Sequence, residues 1–329
     1  MNGDVPDGRV KTLQDMRVDP AVRRRVIAVD AFATHDGGQS FDASPGVAPS
    51  RRLALCVDDF GLHLGVNEAV FRLAALRRVS ATSCLVDAPA FAIGAKGLIA
   101  SDCFNAGDVD IGLHLNLTES FDADADASRP LRPMPLPLLI ARCYTRSLPA
   151  ALLRAEIERQ LTAFEAALGR APDYVDGHQH VHQFPQVRDA LIEVLLRRYP
   201  AHRPWLRRTR VPSGLRHSGL KARVIAGLGD SALARRARAA GFAQNERLLG
   251  VYGFEINARN YEMHARDWLA RCQDGDLWMS HASVHSTTLD PLLPARLREF
   301  QWLSSRAFGH ALAMAGVVLA PVRPPSAHR

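Results

Sequence analysis

The chain has 329 residues, 47% hydrophobic and 23% charged, a composition that excludes disorder throughout and supplies enough apolar side chains for a sizeable core. The formal charge is +7 and only Lys11, Lys96 and Lys221 are lysines, but the many arginines are scattered among 34 acidic residues, so a nucleic-acid partner is not expected. Cys56, Cys84, Cys103, Cys143 and Cys272 form no C-x-x-C pair, which argues against a disulfide scaffold or a structural zinc site. No run of about 18 apolar residues exists to span a membrane, and the first 30 residues lack the apolar centre of a signal peptide. A cytoplasmic protein is the expectation.

Residues 1–50 are rich in Gly, Asp, Pro, Ser and Arg and read as a poorly ordered leader. From Arg52 short apolar runs alternate with long amphipathic segments. Runs at 53–57, 82–86, 109–115, 174–176, 205–210, 248–254, 277–280 and 316–320 read as strands. Helical spacing follows the first of them in Val66, Val70, Leu73 and Leu76, recurs in Leu152, Ile157, Leu161, Phe164 and Leu168, and again behind Pro185 in Val187, Leu191, Val194 and Leu195. Repeated βα units require parallel strands with helices outside, and the strand count favours a complete or incomplete (β/α) TIM-like barrel in a single domain over 51–320. Pro130, Pro133, Pro135 and Pro137 mark an insertion at 119–148 after the third strand. On a barrel it would overhang the active-site face. Residues 321–329 read as a loose tail.

In parallel α/β folds the residues that do chemistry project from the carboxyl ends of strands. At those positions stand Asp58-Asp59-Phe60-Gly61, Gly112-Leu113-His114-Leu115-Asn116, Asp176-Gly177-His178-Gln179-His180-Val181-His182 and Met279-Ser280-His281. Adjacent carboxylates after an apolar strand repel unless a cation or proton neutralises one. His114 alternates with Ile111, Leu113 and Leu115, so it points away from that apolar face. If the segment were extended, His178, His180 and His182 would share one side. Carboxylate and imidazole together are the usual donors for a catalytic divalent metal, which acidifies water and polarises a carbonyl. Metal-assisted hydrolysis is the reading.

At these residues, and at Gly65-Val66-Asn67-Glu68-Ala69, Ala81-Thr82-Ser83, Pro89-Ala90-Phe91, Leu117-Thr118 and Pro185, the chain resembles the YdjC-type carbohydrate deacetylases, which include chitooligosaccharide deacetylase and a hopanoid-biosynthesis deacetylase. The resemblance runs from about residue 53 to 281. It implies a distorted (β/α) barrel that removes N-acetyl groups from an amino-sugar carbohydrate or glycolipid with one divalent metal ion, Mg or Zn. It also implies Asp59, His114 and His178 as ligands, Asp58 as base, His281 as general acid, and a homodimer. His180, His182, Phe60 and Asn116 are then candidates for supporting the ligands or contacting substrate, with Phe60 offering either an apolar wall to a sugar or a packing contact. The chain departs from the family pattern at Cys56-Val57 for Asn-Ala, Gly177 for Ser, and Ala282-Ser283 for Pro-Gly. Two other readings use the same residue types: a metal hydrolase acting on phosphoesters or cyclic amides, marked by two metals, and a non-catalytic glycan-binding protein.

Overall fold

The computed structural model describes residues 51–212, 220–286 and 290–322; the expected leader and most of the expected tail lie outside them. Among the described residues all eight apolar runs contain a strand: β1 Arg51–Phe60, β2 Ala81–Cys84, β3 Asp110–Leu115, β4 Tyr174–Gly177, β5 Trp205–Leu206, β6 Leu248–Leu249, β7 Asp276–Ser280 and β8 Val317–Leu319. They form one parallel sheet in the order β5-β4-β3-β2-β1-β7-β6, with β8 paired to the start of β1. The edges β5 and β6 share no strand ladder among the described residues; the segments at them meet through a bridge between Leu206 and Gln244, the backbone bond from Leu248 N–H to Arg210 O at 2.6 Å and the Asn245 side chain, which accepts from Arg208 N–H at 2.7 Å. The fold is an incomplete (β/α) barrel. Among the described residues no helix is long and apolar enough to cross a membrane.

Strand parity divides the interior into two layers. Leu53, Leu55 and Val57 of β1 and Ile111, Leu113 and Leu115 of β3 pack outward under the helices. Ala54 and Cys56 pack inward with Ala81, Tyr174, Trp205, Leu277 and Met279. Both faces of each strand are therefore buried, which is why these strands read as continuous apolar runs. The inner layer is filled unevenly: the rings of Tyr174 and Trp205 stack 4.1 Å apart, and small residues on β1 to β3 make room for them. Gly112 is opposite Tyr174 in the β3–β4 register.

The helical spacings form Leu64–Ala75, Ala150–Leu168 and Pro185–Arg198, the last with its proline in the first turn, where a missing N–H costs nothing. Leu76 and Leu152, counted in the same spacings, are exposed. The insertion at 119–148 carries helices Ala123–Ala127 and Leu136–Tyr144 and buries Leu131, Met134, Leu139, Cys143 and Leu148. Its buried Arg129 reaches Glu156 at 2.7 Å, Asp126 at 3.0 Å and the Asn116 carbonyl at 3.0 Å. The insertion is thus packed and ion-paired against the barrel wall.

A Cβ at Gly112 would lie 2.4 Å from the Tyr174 ring. Gly112→Ala is expected to destabilise the fold by about 1–3 kcal/mol through overpacking, seen as a lower urea midpoint with an unchanged slope.

Candidate active site

The site begins with a bulge. β1 pairs with β2 at Val57 and again at Phe60, against Thr82 and Cys84, so β1 carries one extra residue. Asp58 keeps the inward parity of Ala54 and Cys56. Asp59 absorbs the extra residue with φ 65°, and Phe60 returns to the outer core. Two successive carboxylates can therefore both face the barrel mouth, which a regular strand forbids.

Asp59 meets three cationic or imidazole groups. Its Oδ1 lies 3.4 Å from His114 Nε2 and 3.1 Å from His178 Nδ1, and its Oδ2 accepts from Arg296 at 2.8 Å. One donor atom from each of Asp59, His114 and His178 falls within 4.8 Å of the others. His114 Nδ1 bonds Asp176 at 2.7 Å, which fixes the ring and leaves Nε2 facing Asp59, the arrangement that metal-ligating histidines commonly show. The outer nitrogen of His178, Nε2, is 3.5 Å from Glu119.

Asp58 is held from below. Arg207, fully buried, donates to its two oxygens at 2.7 Å each and lies 2.7 Å from Asp176. The same guanidinium reaches Cys56 Sγ at 3.0 Å and Ser83 Oγ at 3.2 Å. Burial alone would raise the Asp58 carboxyl, but the charge and hydrogen bonds of Arg207 outweigh it and hold the group below the usual carboxylate range. Burial likewise opposes charge on His114, yet Asp176, Asp59 and Asp58 push it up to about 10. His178 is also raised against burial, by Asp59 and Glu119. Asp58, Asp59 and Asp176 face two guanidiniums, Arg207 and Arg296, which leaves one carboxylate charge beside the imidazoles unbalanced. That electron-rich donor set fits a cation. A second grouping of Asp58, His114 and Asp176 already encloses the Arg207 guanidinium.

His281 follows β7. The register Val57 to Ser280 places it level with Asp58 on the neighbouring strand. Its Nδ1 is buried with no hydrogen-bond partner among the described residues, and Phe254 packs edge-on to its ring at 5.3 Å.

The other candidates divide by geometry. His178, His180 and His182 do not share one side, because residues His178–Gln183 form a 3₁₀ turn with Gln179 and His180 at φ 52° and 61°; only His178 enters the cluster. His182 is buried and bonds the Arg207 carbonyl at 2.9 Å, so it supports the strand that carries Arg207. Burial holds His180 down to about 3 and His182 to about 4, keeping both rings neutral. Phe60 is fully buried against the edge of Phe71; it packs the outer core and offers no wall to a sugar. Asn116 accepts from the backbone N–H groups of Thr118 and Glu119 and so turns the chain that brings Glu119 to His178. Arg207, Arg296, Glu119 and Glu299 are not singled out by the sequence, and Asp176 only as part of its strand-end motif. The inward parity that Arg207 keeps with Trp205, just past β5, was the available signal for it; Arg296 and Glu299 look like ordinary charges on a solvated helix.

A model of the family described as YdjC-like protein matches residues 52–314. The chain belongs to the YdjC-like family. Relatives include a carbohydrate deacetylase of Homo sapiens, 30% identical over 45% of this chain and 46% of that one. A chitooligosaccharide deacetylase of Proteus mirabilis is 29% identical over 41% of this chain and 51% of that one. The chain thus spans about half the length of the curated relatives it matches. Among solved structures, a candidate cellobiose-phosphate cleavage protein of Enterococcus faecalis superposes with a TM-score of 0.57 at 18% identity, over 83% of this chain and 98% of that one. This last likeness is one of fold. In this YdjC-like barrel, Arg207→Met would strand two buried carboxylates. It is expected to cost about 3–5 kcal/mol at neutral pH, measured by urea unfolding. The deficit should already shrink as pH falls toward about 4 and continue to shrink below it, because burial raises the unpaired carboxyls above their usual range and they take up protons there.

Proposed function

We propose that this protein is a divalent-metal-dependent hydrolase that removes the N-acetyl group from an amino sugar in a carbohydrate or glycolipid and releases acetate. The observation that carries this reading is the convergence of Asp59, His114 and His178, with Asp58 held ionised beside them. The names of the YdjC-like relatives, carbohydrate deacetylase and chitooligosaccharide deacetylase, support the substrate class.

In this reading Asp59, His114 and His178 hold the ion, Mg or Zn. When bound, it supplies a Lewis acid that polarises a carbonyl oxygen and acidifies water. Asp58, kept ionised and oriented by Arg207, takes a proton from the water that attacks the acetyl carbon. His281 gives a proton to the sugar nitrogen as the C–N bond breaks, so acetate and a free amine leave. An amide needs that second group because an amine departs poorly without a proton. A two-metal hydrolase is not favoured, since the Arg207 guanidinium lies 2.7 Å from both carboxylates of the second donor grouping.

The test is acetate release over a panel of N-acetylated chitooligosaccharides and glycolipids, with metal-stripped protein as control. Asp58→Asn is expected to lose about 10²–10⁴-fold in turnover while still binding Zn²⁺. His114→Ala and His178→Ala are expected to lose both activity and metal. Near-normal turnover by Asp58→Asn would overturn the role of the base, and no acetate from any substrate would overturn the activity.

A further inference from the structure

The imidazole Nδ1 of His281 has no hydrogen-bond partner among the described residues, but its peptide is gripped on both sides. Helix Leu293–Leu303 supplies both grips. Glu299 Oε2 accepts from His281 N–H at 2.5 Å and Ser280 Oγ at 2.6 Å, while its Oε1 accepts from Tyr252 at 2.5 Å. Arg296, one helical turn earlier, donates to the His281 carbonyl at 3.2 Å. The other limb of that guanidinium holds Asp59 Oδ2 at 2.8 Å, and its Nε lies 2.7 Å from Asp290. The Arg296 carbonyl accepts from Ser283 N–H at 3.2 Å. Arg296 and Glu299 are 3% and 1% exposed, so neither is a solvated helix charge.

Charged groups this deeply buried are costly unless every contact is used. Here Arg296 reaches both the Asp59 carboxylate and the His281 carbonyl, and Glu299 holds the His281 N–H. Ala282-Ser283 follow His281, so no proline ring restricts the chain there; the helix provides the restraint.

We infer that Arg296 and Glu299 are positioning residues through which this one helix sets the ligand carboxylate and the general acid in fixed relation. Arg296 occupies Oδ2 of Asp59 and leaves Oδ1 to the imidazoles. Glu299 fixes the backbone from which the His281 ring projects. The Glu299 half rests on His281 being the acid, and the Arg296 half on Asp59 being a ligand.

The two halves have separate readouts. Glu299→Ala should lower kcat at least about tenfold with KM within about twofold, and should leave Zn²⁺ affinity, measured by calorimetry on metal-stripped protein, unchanged. Glu299→Gln should recover most of kcat, because its amide oxygen still accepts from His281 and Ser280 while its NH₂ meets the Tyr252 hydroxyl. Glu299→Asp keeps the charge but withdraws the oxygens, and should reproduce the loss if the alanine variant does not fold. In a His281→Ala background, Glu299→Ala should add less than about twofold, since the two act as one unit. Arg296→Ala should weaken Zn²⁺ binding by about 10–100-fold.

Wild-type kcat in folded Glu299→Ala and Glu299→Asp, or a full further loss in the His281→Ala background, would overturn the Glu299 assignment. Unchanged Zn²⁺ affinity in Arg296→Ala would overturn the other. If His281→Ala itself kept wild-type turnover, the acid reading would fail, and the Zn²⁺ measurement would still decide Arg296.

Discussion

A guanidinium with no solvent exposure at the centre of the barrel is the interaction on which the rest depends. Arg207 is tolerable there only because Asp58 and Asp176 lie 2.7 Å away, and they are tolerable only because of it. The pairing ties β5, two residues long, to β1 and β4. It keeps Asp58 ionised and holds Asp176 where it fixes the His114 ring. His182 fastens the same strand from the turn that presents His178. Stability and site geometry are therefore one arrangement.

Above this centre the backbone departs from regularity where the donors are needed. The β1 bulge lets Asp58 and Asp59 face the same opening, and the left-handed residues Gln179 and His180 turn the chain just after His178. Such residues cost of order 1–3 kcal/mol each and persist only where surrounding contacts over-determine them. Arg296 on Asp59, Glu119 at His178 and the Arg207 clamp are those contacts. They draw on the Leu293–Leu303 helix, the start of the insertion and the edge of the sheet, so the mouth is assembled from distant parts of the chain.

Much of this was legible because parallel barrels impose a simple code. Apolar runs marked the eight strands, and parity marked His114 as inward from its neighbours Leu113 and Leu115. The acids and histidines at strand ends pointed to a cation site within one turn of chain. The histidine alternation misled because period two holds only for extended backbone, and the strand ends at Gly177. Of the two roles open to Phe60, wall or packing, the extra residue in β1 selects packing by shifting it back to the outer core.

By itself the sequence determined the alternation of strands and helices, and the donor types that stand at the strand ends, because both are local properties of spacing and side-chain chemistry. It could not assign partners to charges. Arg207, Arg296 and Glu299 lie 149, 237 and 18 residues from the groups they hold, and on the page they resemble the other charged residues of a strongly arginine-biased chain. Only closure of the sheet brings Arg207 beneath Asp58, and only the packing of the Leu293–Leu303 helix brings Arg296 to Asp59. Burial, which sequence does not display, turns an ordinary surface charge into one that must be paired.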